Sequence, residues 1–123
     1  IADYERYPLA TLRPDYAEAE LDWGIALTLA SGLSVGQPHF ERALALDPLN
    51  PEFPYTYARA LLHAGRVKEA ATQLQSVVRL SSDNAKAHLD LSRVLRRLGR
   101  LSEADRHQQI ATQLNASLAN QRP

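Results

Sequence analysis

The sequence predicts an all-α fold built from consecutive antiparallel helix pairs, and three observations predict it. Shifting the 123 residues against themselves by 34 aligns Leu12, Leu46, Leu80 and Leu114, and separately Leu27, Leu61 and Leu95. The same shift lays Gly65-Arg66-Val67-Lys68-Glu69-Ala70 over Gly99-Arg100-Leu101-Ser102-Glu103-Ala104 without a gap. Such a period marks one supersecondary unit repeated along the chain, each copy burying its apolar face against a neighbour. Within each copy the apolar residues recur at three- and four-residue spacing, as on one face of a helix. No stretch alternates apolar and polar residues with a period of two, so no half-buried strand is expected.

Taken in order, residues 1–16 read as the second helix of an incomplete leading copy, or as an N-terminal extension, through Ala2, Leu9 and Leu12. Pro8 should interrupt that helix and leave 1–7 poorly defined. Three full copies follow, at 17–50, 51–84 and 85–118, with Pro14, Pro48 and Pro51 marking the turns between them. Asp15 with Glu18 forms a capping-box-like start for copy one, and Asn50-Pro51 sets a capping side chain before a first-turn proline in copy two. In copy one, Val35-Gly36 and Pro38 predict a long turn over Ser31 to Gln37 and a second helix starting near Pro38. Copy three places Ala87, Leu91, Val94, Leu95 and Leu98 on one stripe, and Gly99 is its stop. Its second helix, with Ala104, Ile110, Ala111, Leu114 and Leu118, has Ser102 as expected N-cap and Asp105 three residues on. Small residues at 58/70 and 92/104 let paired helices approach closely, and polar residues from Asn115 shield the last copy, leaving 119–123 as a tail.

These features resemble the tetratricopeptide repeat, a 34-residue helix–turn–helix unit. Copy one supplies Trp23-Gly24, Leu27, Phe40, Ala43 and Pro48. Copy two supplies Tyr57-Ala58, Leu61, Gly65, Glu69-Ala70, Leu74 and Val77. Copy three supplies Leu91-Ser92, Leu95, Gly99, Glu103-Ala104 and Ala111. The resemblance implies a right-handed superhelical solenoid whose first helices line a concave groove used for protein interaction. It departs at the position that opens each repeat, where Glu20, Pro54 and His88 replace the usual bulky residue, so that contact is expected to be weak or replaced. Trp23, Tyr57 and Leu91 share one repeat position and read as core.

Composition narrows the function. Apolar residues make up 45% and charged residues 23%, the balance of an ordinary globular chain. There is no Cys, which excludes disulfides, thiolate metal sites and cysteine nucleophiles. No apolar run approaches the roughly 18 residues of a membrane span. The absent initiator Met reads as a piece of a longer gene product, and with zero Cys it leans towards an exported, processed bacterial protein, the cytoplasm staying open. Fourteen bases balance fourteen acids, yet residues 1–61 sum to −5 and residues 62–123 to +5. That asymmetry suits partners of opposite sign at the two ends, or other copies of the chain.

The resemblance assigns Glu18, Leu21, Asp22, Ile25, Thr28 and Leu29 to the groove in copy one, and Glu52, Tyr55, Thr56, Arg59, Leu62 and His63 in copy two. In copy three it assigns Lys86, Leu89, Asp90, Arg93, Arg96 and Arg97. The charge along this face runs from −2 through 0 to +3. The candidate partner-binding residues are therefore Tyr55, Arg59, His63, Lys86, Arg93, Arg96 and Arg97, facing a protein or peptide with an acidic segment. Arg93, Arg96 and Arg97 stand at helical spacings that can grip one carboxylate or phosphate, against the plainer alternative of a solvated face paired with Asp90 and Glu103. Some family members clamp chaperone C-terminal carboxylates with Lys and Asn; only Lys86 matches in type here, and that activity is not carried over.

Other classes fare worse. His39, His63, His88 and His107 show no metal-ligand spacing, and no GxSxG or phosphate-cradling loop is present, so no catalytic residue, metal or cofactor is expected and the chain does not read as an enzyme. Each histidine is expected to pack or to face water. The basic region covers one repeat beside an acidic neighbour, which argues against nucleic acid. The leading reading is a protein-interaction scaffold. Its alternatives are a structural subunit assembling end to end into an oligomer or filament, and a docking or regulatory segment of a larger enzyme.

Overall fold

The computed structural model describes residues 14–120, with side chains from Tyr16 onward. Among them stand six helices and no strand: α1 (Pro14–Ser31), α2 (Leu33–Leu46), α3 (Glu52–His63), α4 (Val67–Leu80), α5 (Ala85–Arg97) and α6 (Leu101–Asn120). The expected leading helix and Pro8 break lie outside the described residues, and residues 14–16 already belong to α1. The chain divides into two compact units between Phe53 and Pro54.

In the first unit α1 packs on α2, and the sequence-based expectation for their junction is corrected. The turn is a single residue, Gly32 at φ +99°, and α2 begins at Leu33 with Pro38 inside it. The physical reason is Gly36. A Cβ there would lie 2.0 Å from Thr28 Oγ1 and 2.4 Å from the Gly24 carbonyl, so only glycine lets the helices cross this closely. Gly24 meets Phe40 at 3.2 Å from the other side. In the 34-residue frame Gly24 and Gly36 are the counterparts of 58/70, so copy one carries the same small-residue crossing in its tightest form. Pro38 costs the hydrogen bond to Ser34, and its exposed position lets water serve that carbonyl instead.

The second unit centres on Ala58 of α3, Ala71 and Leu74 of α4, Leu91, Val94 and Leu95 of α5, and Ala104 of α6. Tyr55, Leu62, Val67, Val78 and Leu98 pack around them. Asn50 performs its expected role, its Oδ1 accepting the Glu52 N–H at 3.0 Å, and Asn84 Oδ1 does the same for Ala87 at 3.0 Å. α5 ends at Arg97, and the φ of +79° at Gly99 lets the Arg100 N–H return to the Leu95 carbonyl at 2.9 Å. Ser102 is not the N-cap of α6, because the helix starts at Leu101. Arg100 precedes it, and its guanidinium forks the Glu103 carboxylate at 2.9 and 2.7 Å, as Arg66 forks Glu69 ahead of α4. That fork, together with nearby Arg106 and His107, holds the Glu103 carboxyl below its ordinary range.

At two of the three repeat-opening positions, 20 and 88, polar pairs replace the bulky contact, while Pro54 is simply buried. Glu20 is buried and accepts from His39 at 2.7 Å, with Arg42 at 3.5 Å from its other oxygen. Its counterpart His88, 5% exposed, lies 3.0 Å from His107 between Nδ1 atoms. Trp23 is the exception to its expected core role. It is 53% exposed and rests its ring 5.1 Å from that of His39, whereas Tyr57 and Leu91 are buried.

Candidate functional site

The second unit presents an open hollow of about 480 Å³ between α3 and α5, floored by Ala58, Leu74 and Val94. α3 contributes Tyr55, Arg59 and His63, three residues at four-residue spacing and hence on one helix face. α5 contributes Lys86, Asp90, Arg93 and Arg97 by the same periodicity. Six of the seven residues singled out from sequence thus line one concavity. Its floor is apolar because Ala58, Leu74 and Val94, all buried, lie beneath the polar side chains of the rim.

Asp90 organises the rim. Its Oδ2 accepts from the Tyr55 hydroxyl at 2.6 Å, and its carboxylate stands 3.6 Å from Lys86 Nζ and 3.7 Å from an Arg93 nitrogen. Lys86 also donates to the Tyr55 hydroxyl and sits 5.0 Å from the centre of that ring. The hydrogen bond to Tyr55, and secondarily the Asp90 charge, raise the lysine pKa above its ordinary value. Lys86 therefore stays an ammonium throughout the physiological range.

Arg96 does not join this group. It turns to α6, where it pairs with Asp105 at 2.8 Å and with Gln108. One of the three clustered arginines is thus committed to holding helices together, because position 96 is rotated by about 100° around α5 from position 97, towards α6. Four cationic side chains, Arg59, Lys86, Arg93 and Arg97, face one carboxylate in the hollow. Among the described residues Arg59 and Arg97 make no ion pair. The plainer alternative of complete pairing holds for Asp90 but not for Glu103, which is taken by Arg100.

The copy-one groove residues belong to the first unit. Glu18 and Asp22 are exposed, Leu21 is buried, and the Thr28 hydroxyl is buried without a hydrogen-bond partner. Sequence reasoning missed the Tyr55–Asp90 bond and the two histidine-centred pairs. The latter had a signal: Glu20 with His39, and His88 with His107, are both 19 residues apart at matching repeat positions. Among the described residues no group of three metal-ligand side chains occurs, and no helix is long and apolar enough to cross a membrane.

Comparison with known proteins matches this architecture. Two tetratricopeptide repeat family models match residues 36–79 and 69–106, more than half of the chain between them. A 68-residue stretch is 37% identical to the TPR repeat-containing thioredoxin TTL4 of Arabidopsis thaliana, covering 55% of this chain and 10% of that protein. The chain thus matches about a tenth of the length of that curated relative. Among solved structures, MamA superposes with a TM-score of 0.77 at 17% identity, over 90% of this chain and 65% of that one. The second TPR of Spaghetti (RPAP3), solved with the HSP90 peptide SRMEEVD, superposes with a TM-score of 0.70 at 23% identity, over 82% and 94%. The fold is therefore that of tetratricopeptide solenoids, and the chain belongs to the tetratricopeptide repeat family.

Proposed function

We propose that this tetratricopeptide repeat chain is a protein-interaction module that captures an acidic peptide segment in the hollow between α3 and α5. The observation that carries this reading is the excess of four cationic side chains over one carboxylate, with Arg59 and Arg97 unengaged by ion pairs among the described residues. Guanidinium forks held on rigid helices recognise carboxylates at little ordering cost. The Tyr55 ring and the Leu74 floor offer apolar area for the segment's other side chains. The acidic peptide bound by the RPAP3 repeat domain is ligand chemistry of the same class.

Anisotropy titrations with fluorescein-labelled SRMEEVD, in free-acid and amidated forms, and with a glutamine-substituted control test it. The acidic peptide binds, amidation matters little because only Lys86 matches the terminal-carboxylate clamp in type, and the glutamine peptide binds at least tenfold more weakly. Arg93→Glu with Arg97→Glu abolishes capture, because two charge reversals on the rim turn attraction of an acidic segment into repulsion. Equal affinity of the double variant for the acidic peptide overturns the proposal.

A second reading, assembly of copies through oppositely charged halves, draws on the −5 and +5 sums. Sedimentation at low and high salt tests it, since a monomer in both rules it out. A third, a docking segment of a larger enzyme, draws on a relative whose name joins such repeats to a thioredoxin.

A further inference from the structure

Four basic side chains stand at the corners of one rectangle in the hollow. Arg59 and Arg93 occupy the same position of successive 34-residue copies, and so do His63 and Arg97. The first pair lies one turn before the second on α3 and α5, and all four side chains line the hollow and are exposed. Cβ atoms four residues apart on a helix are about 5–6 Å from each other, and packed helix axes about 8–10 Å. A group above the middle of the rectangle is therefore about 5–6 Å from every corner, within reach of an arginine's long stem. Copy one has Ile25 and Leu29 at these positions, so it contributes nothing to the rectangle.

The charges of the hollow are divided unevenly between its ends. Near the starts of α3 and α5, Lys86 and Asp90 offset each other, and the Tyr55 hydroxyl bonds to both. That end is neutral. At the other end Arg59 and Arg97 make no ion pair among the described residues, and Arg93 stands 3.7 Å from Asp90, too far for a hydrogen bond. Compensation of the helix dipole accounts for Arg97, in the last turn of α5, and not for Arg59 or Arg93, which lie a turn further in. Three guanidinium charges are left over. A single carboxylate balances one of them and fills one fork. A phosphoryl group brings about two charges and three acceptor oxygens, enough to engage all three forks.

We infer that the basic end of the hollow is a phosphoryl subsite, and that the captured segment carries a phosphorylated side chain seated between Arg59, Arg93 and Arg97. His63 closes the fourth corner with a ring N–H. The inference rests on the acidic-peptide reading and narrows its ligand. A peptide is the carrier because the rectangle spans two helices and adjoins an apolar floor and a neutral end, whereas a polynucleotide backbone needs a longer basic track. Residues 1–13 hold Asp3 and Glu5 against Arg6 and Arg13, and so bring no net charge of their own to this site.

Two peptides of equal charge at pH 7.5 test it: SRMEEVD, and SRM-phosphoserine-QVD, which gathers the two glutamate charges on one phosphoryl group. In anisotropy titrations into the full chain, the phosphopeptide should bind about tenfold more tightly, and unphosphorylated SRMSQVD more weakly than either. Arg59→Lys and Arg97→Lys keep the charge and lose the fork. Each should reduce phosphopeptide affinity about fivefold and SRMEEVD affinity less than about twofold, with helical circular dichroism unchanged. Equal affinity for the two peptides, or tighter binding of SRMEEVD, overturns the phosphoryl subsite and leaves the acidic-peptide reading standing. Binding of neither peptide overturns both. A phosphopeptide preference that survives both lysine substitutions undiminished puts the phosphoryl group outside the rectangle and overturns the inference.

Discussion

His88 and His107 meet through their Nδ1 atoms at 3.0 Å, with ring centres 5.2 Å apart and planes inclined by 26°. His88 Nε2 lies 2.9 Å from the Ser82 carbonyl, which can only accept, so His88 carries its hydrogen on Nε2. Its Nδ1 then accepts from the Nδ1–H of His107. The neutral pair is satisfied in one tautomeric arrangement, and it ties α5 to α6 where the family usually places a bulky apolar residue.

This pair makes stability depend on pH. Burial, then the neighbouring His88 and Arg106, hold the His107 pKa below its ordinary value near 6.5, with Glu103 opposing. The unfolded chain therefore takes up its proton first as pH falls. The contribution is present above about pH 6.5 and is lost as pH drops towards the folded-state value. Urea midpoints should fall between pH 7.5 and 5.5. His107→Gln, which installs the residue found at the matching position 73, should flatten that dependence; an unaltered slope rejects the assignment to His107.

Gly36 should tolerate no side chain. In Gly36→Ala the new methyl meets the backbone carbonyl of Gly24 at 2.4 Å, so α1 and α2 must separate. The expected loss is about 1–3 kcal/mol. Gly24→Ala, whose nearest obstacle is the Phe40 ring at 3.2 Å, should lose less. Chemical denaturation ranks the two, and the reverse order contradicts the crossing described above.

Arg96 and Arg97 should separate cleanly although they are neighbours in sequence. Arg97→Ala should weaken acidic-peptide binding severalfold and leave stability within about 0.5 kcal/mol, as for an exposed residue. Arg96→Ala should leave the peptide affinity within twofold while releasing Asp105 and Gln108 on α6. Peptide titration and denaturation of both variants check this, and equal losses of affinity would return Arg96 to the site.

Tyr55→Phe removes the hydroxyl that bridges Lys86 and Asp90. The Lys86 pKa should move back towards its ordinary value, since that hydrogen bond is the main cause of its elevation. NMR titration of the lysine side chain measures this. An unmoved pKa would mean that Asp90 alone sets it.

How much of this was legible in the sequence follows from what a repeat frame can carry. Leu61 and Leu95 are core because their 34-residue spacing keeps them on one side of successive helices, and Leu74 and Leu91 repeat Phe40 and Tyr57 in the same way; all six are buried. Asn50 capped its helix because a side-chain amide before a proline has few other uses. The α1–α2 junction was misread because Pro38 was weighed as a helix start, while the demand came from a close crossing that only glycine permits. Ser102 was likewise read locally, although the Arg100–Glu103 fork had a visible twin in Arg66–Glu69. In the hollow, the residues that the family resemblance assigned to the groove, Tyr55, Arg59, His63, Lys86, Arg93 and Arg97, line one concavity. The resemblance could not assign Arg96, because the choice between a solvent face and a partner on α6 depends on how α5 and α6 pack. Trp23 shows the converse: its repeat position is a core position only where another helix covers it.

The most direct test of the acidic-peptide site is a backbone amide NMR titration of the full chain with SRMEEVD. The account predicts shifts concentrated at Tyr55, Arg59, Lys86, Arg93 and Arg97, fading with added salt and absent in the Arg93→Glu, Arg97→Glu variant. Shifts confined to α1 or α6, or an unchanged map in the double variant, would contradict it.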